Sequence, residues 1–223
     1  MNPLTEVDIY NMALGRCGIS RFVSATDEAS NEARVCLKFF ASVRDRCLAD
    51  FPWNFANRYA ALQAVAVTEG NPVPSPPPLW SYLYQYPNDC IAARKVLPTL
   101  TDTQDRAFLP FDHIFQTDCL NRIPFEVVEN EINGGMAIAC NLLTPILKYT
   151  AQITTLPLWS AKFINALAWL LVTEIAAPLS ANPKYAEAAG KAYEAAILSA
   201  GAQNMNEGVE REAPTSEFLT ARL

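Results

Sequence analysis

Residues 49–62 read ADFPWNFANRYAAL, and this stretch decides how the chain folds. Three large aromatic residues lie within five positions here, and a proline interrupts them. These corner residues are Phe51, Pro52, Trp53 and Phe55. Proline lacks an N–H group and its ring clashes with the preceding helical turn, so a helix that reaches Pro52 has to end there. The stretch therefore predicts a buried, architectural aromatic corner between two helices, the second of which is short and runs to about Ala64.

Helical patterns precede the corner. The first helix is predicted to begin after Thr5, with Asp8 in a capping box, and to end at Gly18. A second helix is predicted to open near Thr26 or Asp27 and to end at the corner. Its apolar stripe is Ala29, Ala33, Cys36, Phe40, Val43, Cys47 and Phe51. These residues recur at the helical spacing of three or four positions, which places them on one face.

The pattern changes after a proline-rich stretch. Residues 70–78 contain five prolines and predict an extended linker. Short apolar runs follow, which are typical of strands. These runs are Ile91–Leu97, Phe108–Phe115, Phe125–Val128, Ala137–Leu143 and Ile146–Ile153, with Asn133-Gly134-Gly135 as a hairpin turn. The sequence therefore predicts a small antiparallel β domain over residues 79–155, inserted between helical segments.

Two further helices are predicted after Pro157. The first carries an apolar face and should stop at Pro178, because proline cannot continue a helix. The last should begin at Asn182-Pro183, a cap residue followed by proline at the first helical position, and should end at Gly201.

These patterns combine into an α+β fold that is mainly α. Residues 1–69 and 156–201 are predicted to form one helical bundle. Residues 202–223 have few apolar side chains and are predicted to form an extended C-terminal arm. Its candidate partner-binding anchors are Phe218, Leu219, Arg222 and Leu223, because aromatic residues and arginine are enriched at interface hot spots.

The charge of the chain argues against a nucleic-acid-binding protein. The formal net charge is −6, the pI is about 4.9, and the 17 Lys and Arg residues are spread along the sequence. Strong binding to a phosphate backbone needs clustered cations, which this chain lacks. The same acidity suits either simple solubility or a channel through which DNA slides without adhering.

The sequence also favours a protein that is neither membrane-bound nor secreted. We find no apolar run that approaches the length of a membrane span and no signal-peptide pattern at the N-terminus. The six cysteines are scattered and none forms a C-x-x-C pair, so we expect reduced, buried thiols and no metal site. They are Cys17, Cys36, Cys47, Cys90, Cys119 and Cys140.

No group of residues predicts catalysis or cofactor binding. His113 is the single histidine and lies in an apolar run, where a structural role is expected. Glu126, Glu129 and Glu131 are the closest carboxylate cluster, and a glycoside hydrolase needs two carboxyls that flank a cleft. The chain has no nucleotide-binding, nucleophile-elbow or zinc-protease motif. We therefore expect no enzymatic activity and no cofactor.

Four phrases occur in the same order as in a known family. They are the corner phrase of residues 49–62, Asp8–Gly15, Trp80–Cys90, and the segment from Leu156 to Leu179. Together they resemble the tail tubular proteins, or head-to-tail adaptors, of short-tailed bacteriophages. One position departs from the family phrase, since Tyr86 stands where the family usually has leucine before the proline.

This resemblance implies a structural virion protein. Family membership would mean a ring of twelve subunits between the portal and the tail nozzle, assembled in the host cytoplasm and lining the channel through which DNA is ejected. The C-terminal arm would then dock on the portal. Two alternatives stay open: a tail-associated cell-wall hydrolase, and a scaffolding or interaction module that uses the proline-rich linker. A ring builder would form large symmetric oligomers, whereas an enzyme can act as a monomer.

The charge pattern generates a first prediction. The purified protein should show no salt-sensitive affinity for duplex DNA, because too few clustered cations are available to release counterions from the phosphates. Fluorescence anisotropy with labelled duplex at several salt concentrations measures this affinity. Tight binding at physiological salt would contradict the interpretation of a non-adhering channel.

Overall fold

The computed structural model of the chain describes residues 4–65, 76–99, 123–130, 135–180 and 183–206. The fold is α+β and mainly α, as the sequence predicts. The helices are α1 (Glu6–Arg16), α2 (Asn31–Asp50), α3 (Ala161–Ser180) and α4 (Pro183–Asn206), with single 3-10 turns at Asn54–Ala56 and Leu156–Leu158. The strands are β1 (Asn57–Ala61), β2 (Tyr82–Gln85), β3 (Cys90–Pro98), β4 (Phe125–Asn130), β5 (Gly135–Cys140) and β6 (Pro145–Ala151).

The chain divides into two compact units. The helical unit contains residues up to Asn57 and from Thr150 to the end of α4. The β unit contains the described residues between Arg58 and Tyr149. The helical unit is therefore discontinuous in sequence, with the β unit inserted between its halves.

Helix α3 is the centre of the helical unit. Helices α1, α2 and α4 all pack against it. Its buried side chains are Phe163, Ala166, Leu167, Ala168, Leu170, Leu171, Val172, Ile175 and Ala176. They cover most of the helix circumference, as expected for a helix that has neighbours on several sides.

The same helix corrects one expectation from the sequence. Residues Ala161–Leu179 are long and apolar enough to cross a membrane by length and composition, so an apolar run of that length is present. Half of this stretch is buried within the protein, and the core helix of a soluble protein passes the same test. The expectation failed because a central helix needs apolar residues on nearly every side.

Both ends of α1 are confirmed as predicted. The Thr5 hydroxyl accepts a hydrogen bond from the Asp8 N–H, and the Asp8 carboxylate accepts one from the Thr5 N–H in return. At the other end Gly18 adopts a positive φ of 76°. The Ile19 N–H then bonds to the Leu14 carbonyl, which is the six-residue hydrogen bond of a Schellman motif.

Helix α2 begins later than predicted. Its N-cap is Ser30, whose hydroxyl accepts a hydrogen bond from the Ala33 N–H, so the predicted start at Thr26 or Asp27 is wrong. The preceding residues are held outside the helix because the Glu28 carboxylate accepts a hydrogen bond from the Ser24 N–H at 2.8 Å. The predicted stripe is buried from Ala33 onward, at Ala33, Cys36, Phe40, Val43 and Cys47.

The predicted short helix after the corner is wrong. A single 3-10 turn at Asn54–Ala56 follows the corner, and the chain then enters strand β1. Strand β1 pairs with β6, and the Leu62 N–H donates to the Pro145 carbonyl at 2.9 Å. Pairing with a strand more than eighty residues away outweighs the helix propensity of the alanine-rich sequence.

Two predicted helix ends also need correction. Pro178 lies inside the last turn of α3, which continues to Ser180. Helix α4 begins at Pro183 as predicted but does not end at Gly201; it runs to Asn206. Gly201 lies within the helix beside the Phe51 ring, and a Cβ built there would make an ordinary contact with that ring at 3.5 Å. Residues 202–206 of the predicted arm are therefore helical.

The β unit contains two three-stranded sheets. Their orders are β1-β6-β3 and β2-β5-β4, and β5 is antiparallel to both of its neighbours. The strand predictions that correspond to β3, β4, β5 and β6 are confirmed within a few residues at their ends. Strands β1 and β2 were not predicted. The predicted strand Phe108–Phe115, residues 70–75 of the predicted linker, and Asn133-Gly134 of the predicted turn lie outside the described residues.

One aromatic cluster joins the corner to α3. Trp53 is buried, and its ring meets Phe51 and Phe163 edge to face at centroid distances of 5.0 and 5.1 Å. Phe163 also contacts Phe55 and Trp159 at 5.2 and 5.1 Å.

Of the four predicted corner residues Trp53 is buried, Phe51 and Phe55 are half-buried and Pro52 is exposed. The corner packs on α3 with Phe163 at the centre of the cluster, but it joins a helix to a 3-10 turn and a strand and not two helices as predicted.

The two tryptophans of this cluster have satisfied N–H groups. Trp53 Nε1 donates to the Cys47 carbonyl at 2.9 Å, and Trp159 Nε1 donates to the Ile153 carbonyl at 3.1 Å. A buried N–H without an acceptor would lower the stability of the fold by about 1–3 kcal/mol. Both tryptophans avoid this cost through their hydrogen bonds.

Replacement of Trp53 by Ala should lower the free energy of unfolding by about 3–5 kcal/mol, because it removes a buried ring and leaves a cavity. Chemical denaturation measures the change. Leu198→Ala on α4 is the control, since Leu198 is 76% exposed and its loss should change stability by less than about 0.5 kcal/mol. Equal stability of Trp53→Ala and the native chain would contradict an architectural corner.

Candidate functional site

The end of α4 is clasped to the aromatic corner by two asparagines. The Asn54 N–H donates to Asn204 Oδ1 at 3.1 Å, and Asn54 Nδ2 donates to the Asn204 carbonyl at 3.0 Å. Asn204 Nδ2 in turn donates to the Pro52 carbonyl at 3.0 Å. These three bonds are called the asparagine clasp below.

The clasp satisfies backbone groups that two helix ends leave without helical partners. Helix α2 ends at Asp50, and the extended residues after it need other acceptors and donors. The Asn204 carbonyl is one of the last four of α4, which have no partner within their own helix. The Asn204 side chain accepts from the Asn54 N–H and donates to the Pro52 carbonyl, and the Asn54 side chain donates to the Asn204 carbonyl. The clasp therefore ties the part of α4 that continues past Gly201 to the corner.

A small open cavity lies beside the clasp. Its volume is about 50 Å³. It is lined by Trp53, Asn54, Phe55, Ser160, Lys162, Ala200, Gln203 and Asn204. A water molecule needs roughly 10–15 Å³ on this measure, whereas ligand pockets span about 300–1,000 Å³. The cavity therefore has room for a few waters and not for a substrate.

The clasp lies in the helical part of the predicted C-terminal arm, residues 202–206. Asn204 is two residues from the end of α4, so the clasp holds the last helical turn. The four predicted anchors, Phe218, Leu219, Arg222 and Leu223, lie outside the described residues.

A second polar contact joins two of the phrases that the sequence singles out. Arg58 Nη1 lies 2.6 Å from Asp89 Oδ2, and the Tyr149 hydroxyl donates to Asp89 Oδ1 at 3.0 Å. Burial raises the pKa of the Tyr149 phenol, and its hydrogen bond to Asp89 adds to the rise. Because Arg58 and Asp89 are partly exposed, the ion pair contributes about 0–1 kcal/mol and acts chiefly on geometry.

The sequence did not predict either contact. Asn54 and Asn204 are 150 positions apart, so no local pattern links them. The sequence predicts a helix at Arg58, which lies in strand β1 instead. The one usable signal was that Arg58 and Asp89 both lie in phrases of the same family resemblance.

The candidate catalytic residues are not brought together in the described part of the chain. Glu126 and Glu129 are three positions apart on β4, so their side chains leave opposite faces of the sheet. Glu126 Oε2 accepts a hydrogen bond from Trp80 Nε1 at 2.8 Å. His113 and Glu131 lie outside the described residues.

Most of the described thiols are buried. Cys17, Cys36, Cys47 and Cys140 are buried, and Cys90 is half-buried. Burial raises the pKa of the Cys36 and Cys47 thiols to about 12, so both are protonated and unreactive at neutral pH. The described residues contain no group of three or more potential metal ligands, and Cys119 lies outside them.

Comparison of the chain with protein-family models and with curated protein sequences gave no match. The likeness to phage adaptors therefore rests on the four sequence phrases.

The asparagine clasp generates a prediction for stability. Asn54→Ala should lower the free energy of unfolding by about 0.5–1.5 kcal/mol, because it removes the clasp bond from Asn54 Nδ2. Asn204→Ala should lower it by about 1–3 kcal/mol, because it removes both clasp bonds of the Asn204 side-chain amide. The double variant should lose less than the sum of the two, with a coupling of about 0.5–3 kcal/mol in chemical denaturation.

Glu194→Ala is the matched control, because Glu194 is an exposed residue of α4 and its change should stay within about 0.5 kcal/mol. Strictly additive losses for Asn54→Ala and Asn204→Ala would show that the two side chains do not act as one clasp.

Proposed function

We propose that the chain is a head-to-tail adaptor of a short-tailed bacteriophage. It is a structural virion protein that forms a ring of twelve subunits between the portal and the tail nozzle. The ring lines the channel for DNA ejection, binds no cofactor and catalyses no reaction. The observation that carries this proposal is the occurrence of four family phrases in order along the sequence.

Contacts between the phrases support this reading within each unit. In the helical unit Tyr10 of the first phrase contacts Phe40 at a centroid distance of 5.0 Å. Phe40 contacts Trp159 of the last phrase at 6.4 Å, and Trp159 reaches the corner phrase through Phe163 and Trp53. Segments that specify one common fold are expected to contact each other in this way.

Charge supports the channel role. The chain carries 23 acidic against 17 basic residues. A wall of net negative charge repels the phosphate backbone, so DNA passes without being held. A glycoside hydrolase would need two carboxylates that flank one cleft. Glu126 and Glu129 project from opposite faces of β4 and do not form such a pair.

The C-terminal arm is the part that we assign to portal docking. Residues 207–223 follow the clasped end of α4 and contain few apolar side chains apart from Val209, Phe218, Leu219 and Leu223. Such a segment cannot bury enough surface to fold alone and gains contacts when it folds on a partner. Phe218 serves as the apolar anchor and Arg222 as the charged one.

Deletion of residues 207–223 should leave the folded units intact and abolish attachment to the portal. The cut is placed after α4 so that the asparagine clasp, which includes Asn204, is retained. Thermal unfolding checks the fold, and co-sedimentation with purified portal rings, followed by electron microscopy, checks attachment.

The matched control replaces residues 207–217 with a Gly/Ser linker of equal length and keeps residues 218–223 with their anchors. This control should retain much of the attachment, because the linker removes no anchor. Normal attachment by the truncated chain would overturn the docking role of the arm. A chain that forms no ring with the portal under any condition would overturn the adaptor function itself.

A further inference from the structure

The last turn of α4 lies beyond the packed part of that helix. Upstream of it Tyr193, Ala196 and Ala200 are buried and pack α4 into the helical unit. Of the residues after Ala200 whose side chains the structure describes, 201–204, none is buried. Burial of an apolar face supplies most of the stability of a helix in a protein, so this last turn depends on other contacts.

Gly201 lies at the point where this turn begins. Glycine weakens the interior of a helix, because it loses more conformational freedom on folding than any other residue. Glycine is also the residue that most often follows the end of a helix, because it adopts the left-handed conformation at no steric cost. The sequence therefore offers α4 two possible ends, one at Gly201 and one at Asn206, and the structure has the second.

The asparagine clasp holds the longer form of the helix. Its three hydrogen bonds join Asn204 to Pro52 and Asn54 and are exposed to solvent. The cavity of about 50 Å³ beside them admits a few water molecules to the same amide groups. Water competes with such bonds, so the net contribution of each to stability is small. The clasp can therefore open locally while the rest of the helical unit stays folded.

We propose that residues 202–206 form a latch with two states. In the closed state the clasp holds these residues as the last turn of α4. In the open state the clasp is broken, α4 ends at Gly201, and residues 202–206 join the C-terminal arm. The two states are a property of the isolated chain, whereas the use of the open state in portal docking rests on the proposed adaptor function.

Opening the latch lengthens the arm. Five residues span about 7.5 Å as a helix and about 17 Å when extended. The open state therefore gives the arm roughly 9 Å of additional reach. A portal that binds the open state better than the closed state shifts the population towards the open state. Without a portal the clasp keeps the arm in its shorter form.

Two substitutions shift the latch without removing a clasp residue. Gly201→Ala favours the closed state, because alanine is the best helix former and its Cβ would make an ordinary contact with the Phe51 ring at 3.5 Å. Ala202→Pro favours the open state, because proline lacks the N–H of the helical hydrogen bond and its ring clashes with the preceding turn. Ala202 is exposed, so its replacement removes no buried contact. Circular dichroism and thermal unfolding check that both variants stay folded.

Hydrogen exchange of the Asn54 N–H in the full chain measures the latch. This N–H donates to Asn204 Oδ1 in the closed state, and it is far from both substitutions in the sequence. Gly201→Ala should slow its exchange about fivefold, and Ala202→Pro should speed it by about tenfold or more. The backbone N–H groups at positions 205 and 206 should change by the same factors, because one opening event exposes all of them.

Gly190→Ala is the matched control. Gly190 also lies in α4, and a Cβ built there meets no atom within 4 Å, so this substitution raises helix propensity upstream of the latch. It should leave the exchange of the Asn54 N–H unchanged. The latch is overturned if this exchange is the same in Gly201→Ala, Ala202→Pro and the native chain, or if Gly190→Ala alters it as much as Gly201→Ala does.

Co-sedimentation with portal rings separates the latch from the adaptor function. Gly201→Ala should attach to the portal about fivefold more weakly than the native chain, and Ala202→Pro should attach at least as tightly. Equal attachment of both variants and the native chain overturns the use of the latch in docking and leaves the adaptor function standing. The expected exchange at Asn54, without portal attachment by any of these chains, leaves the latch standing and overturns the adaptor function.

Discussion

The edge-to-face contact between Trp53 and Phe163 is the interaction on which the helical unit depends. Trp53 belongs to the corner that ends α2, and Phe163 belongs to α3, against which α1, α2 and α4 all pack. Their two segments are more than a hundred residues apart, so this contact joins the halves of a discontinuous unit. Loss of either ring would leave a cavity in the contact between the two halves.

Local signals explain most of what could be predicted from the sequence. The Thr5 cap, the Gly18 helix end and the buried stripe of α2 all depend on residues within one or two helical turns of each other. Strand β1 could not be predicted in this way, because its alanine-rich sequence becomes a strand only by pairing with β6. Helix α4 likewise exceeds its predicted end, and its last turn bonds to a residue 150 positions away, a contact that no local pattern shows.

In the candidate site, too, some features depend on neighbouring residues and others on residues far apart in the sequence. The aromatic corner was predictable because its residues are consecutive, whereas the asparagine clasp and the pairing of Arg58 with Asp89 exist only in the folded chain. The turn at residues 77–80 lies between these cases. Its prolines predict a chain reversal or an extended segment, but no local rule places a leucine, here Leu79, at a positive φ.

The discontinuity of the helical unit also governs the order in which the chain folds during synthesis. Helix α2 ends at Asp50 and α3 begins at Ala161, so about 110 residues separate the emergence of the two from the ribosome. At 5–20 residues per second this interval lasts roughly 5–20 s. Throughout it the apolar stripes of α1 and α2 have no α3 to cover them, while the inserted β unit is being made. A nascent chain halted near residue 150 would therefore expose these stripes to chaperones.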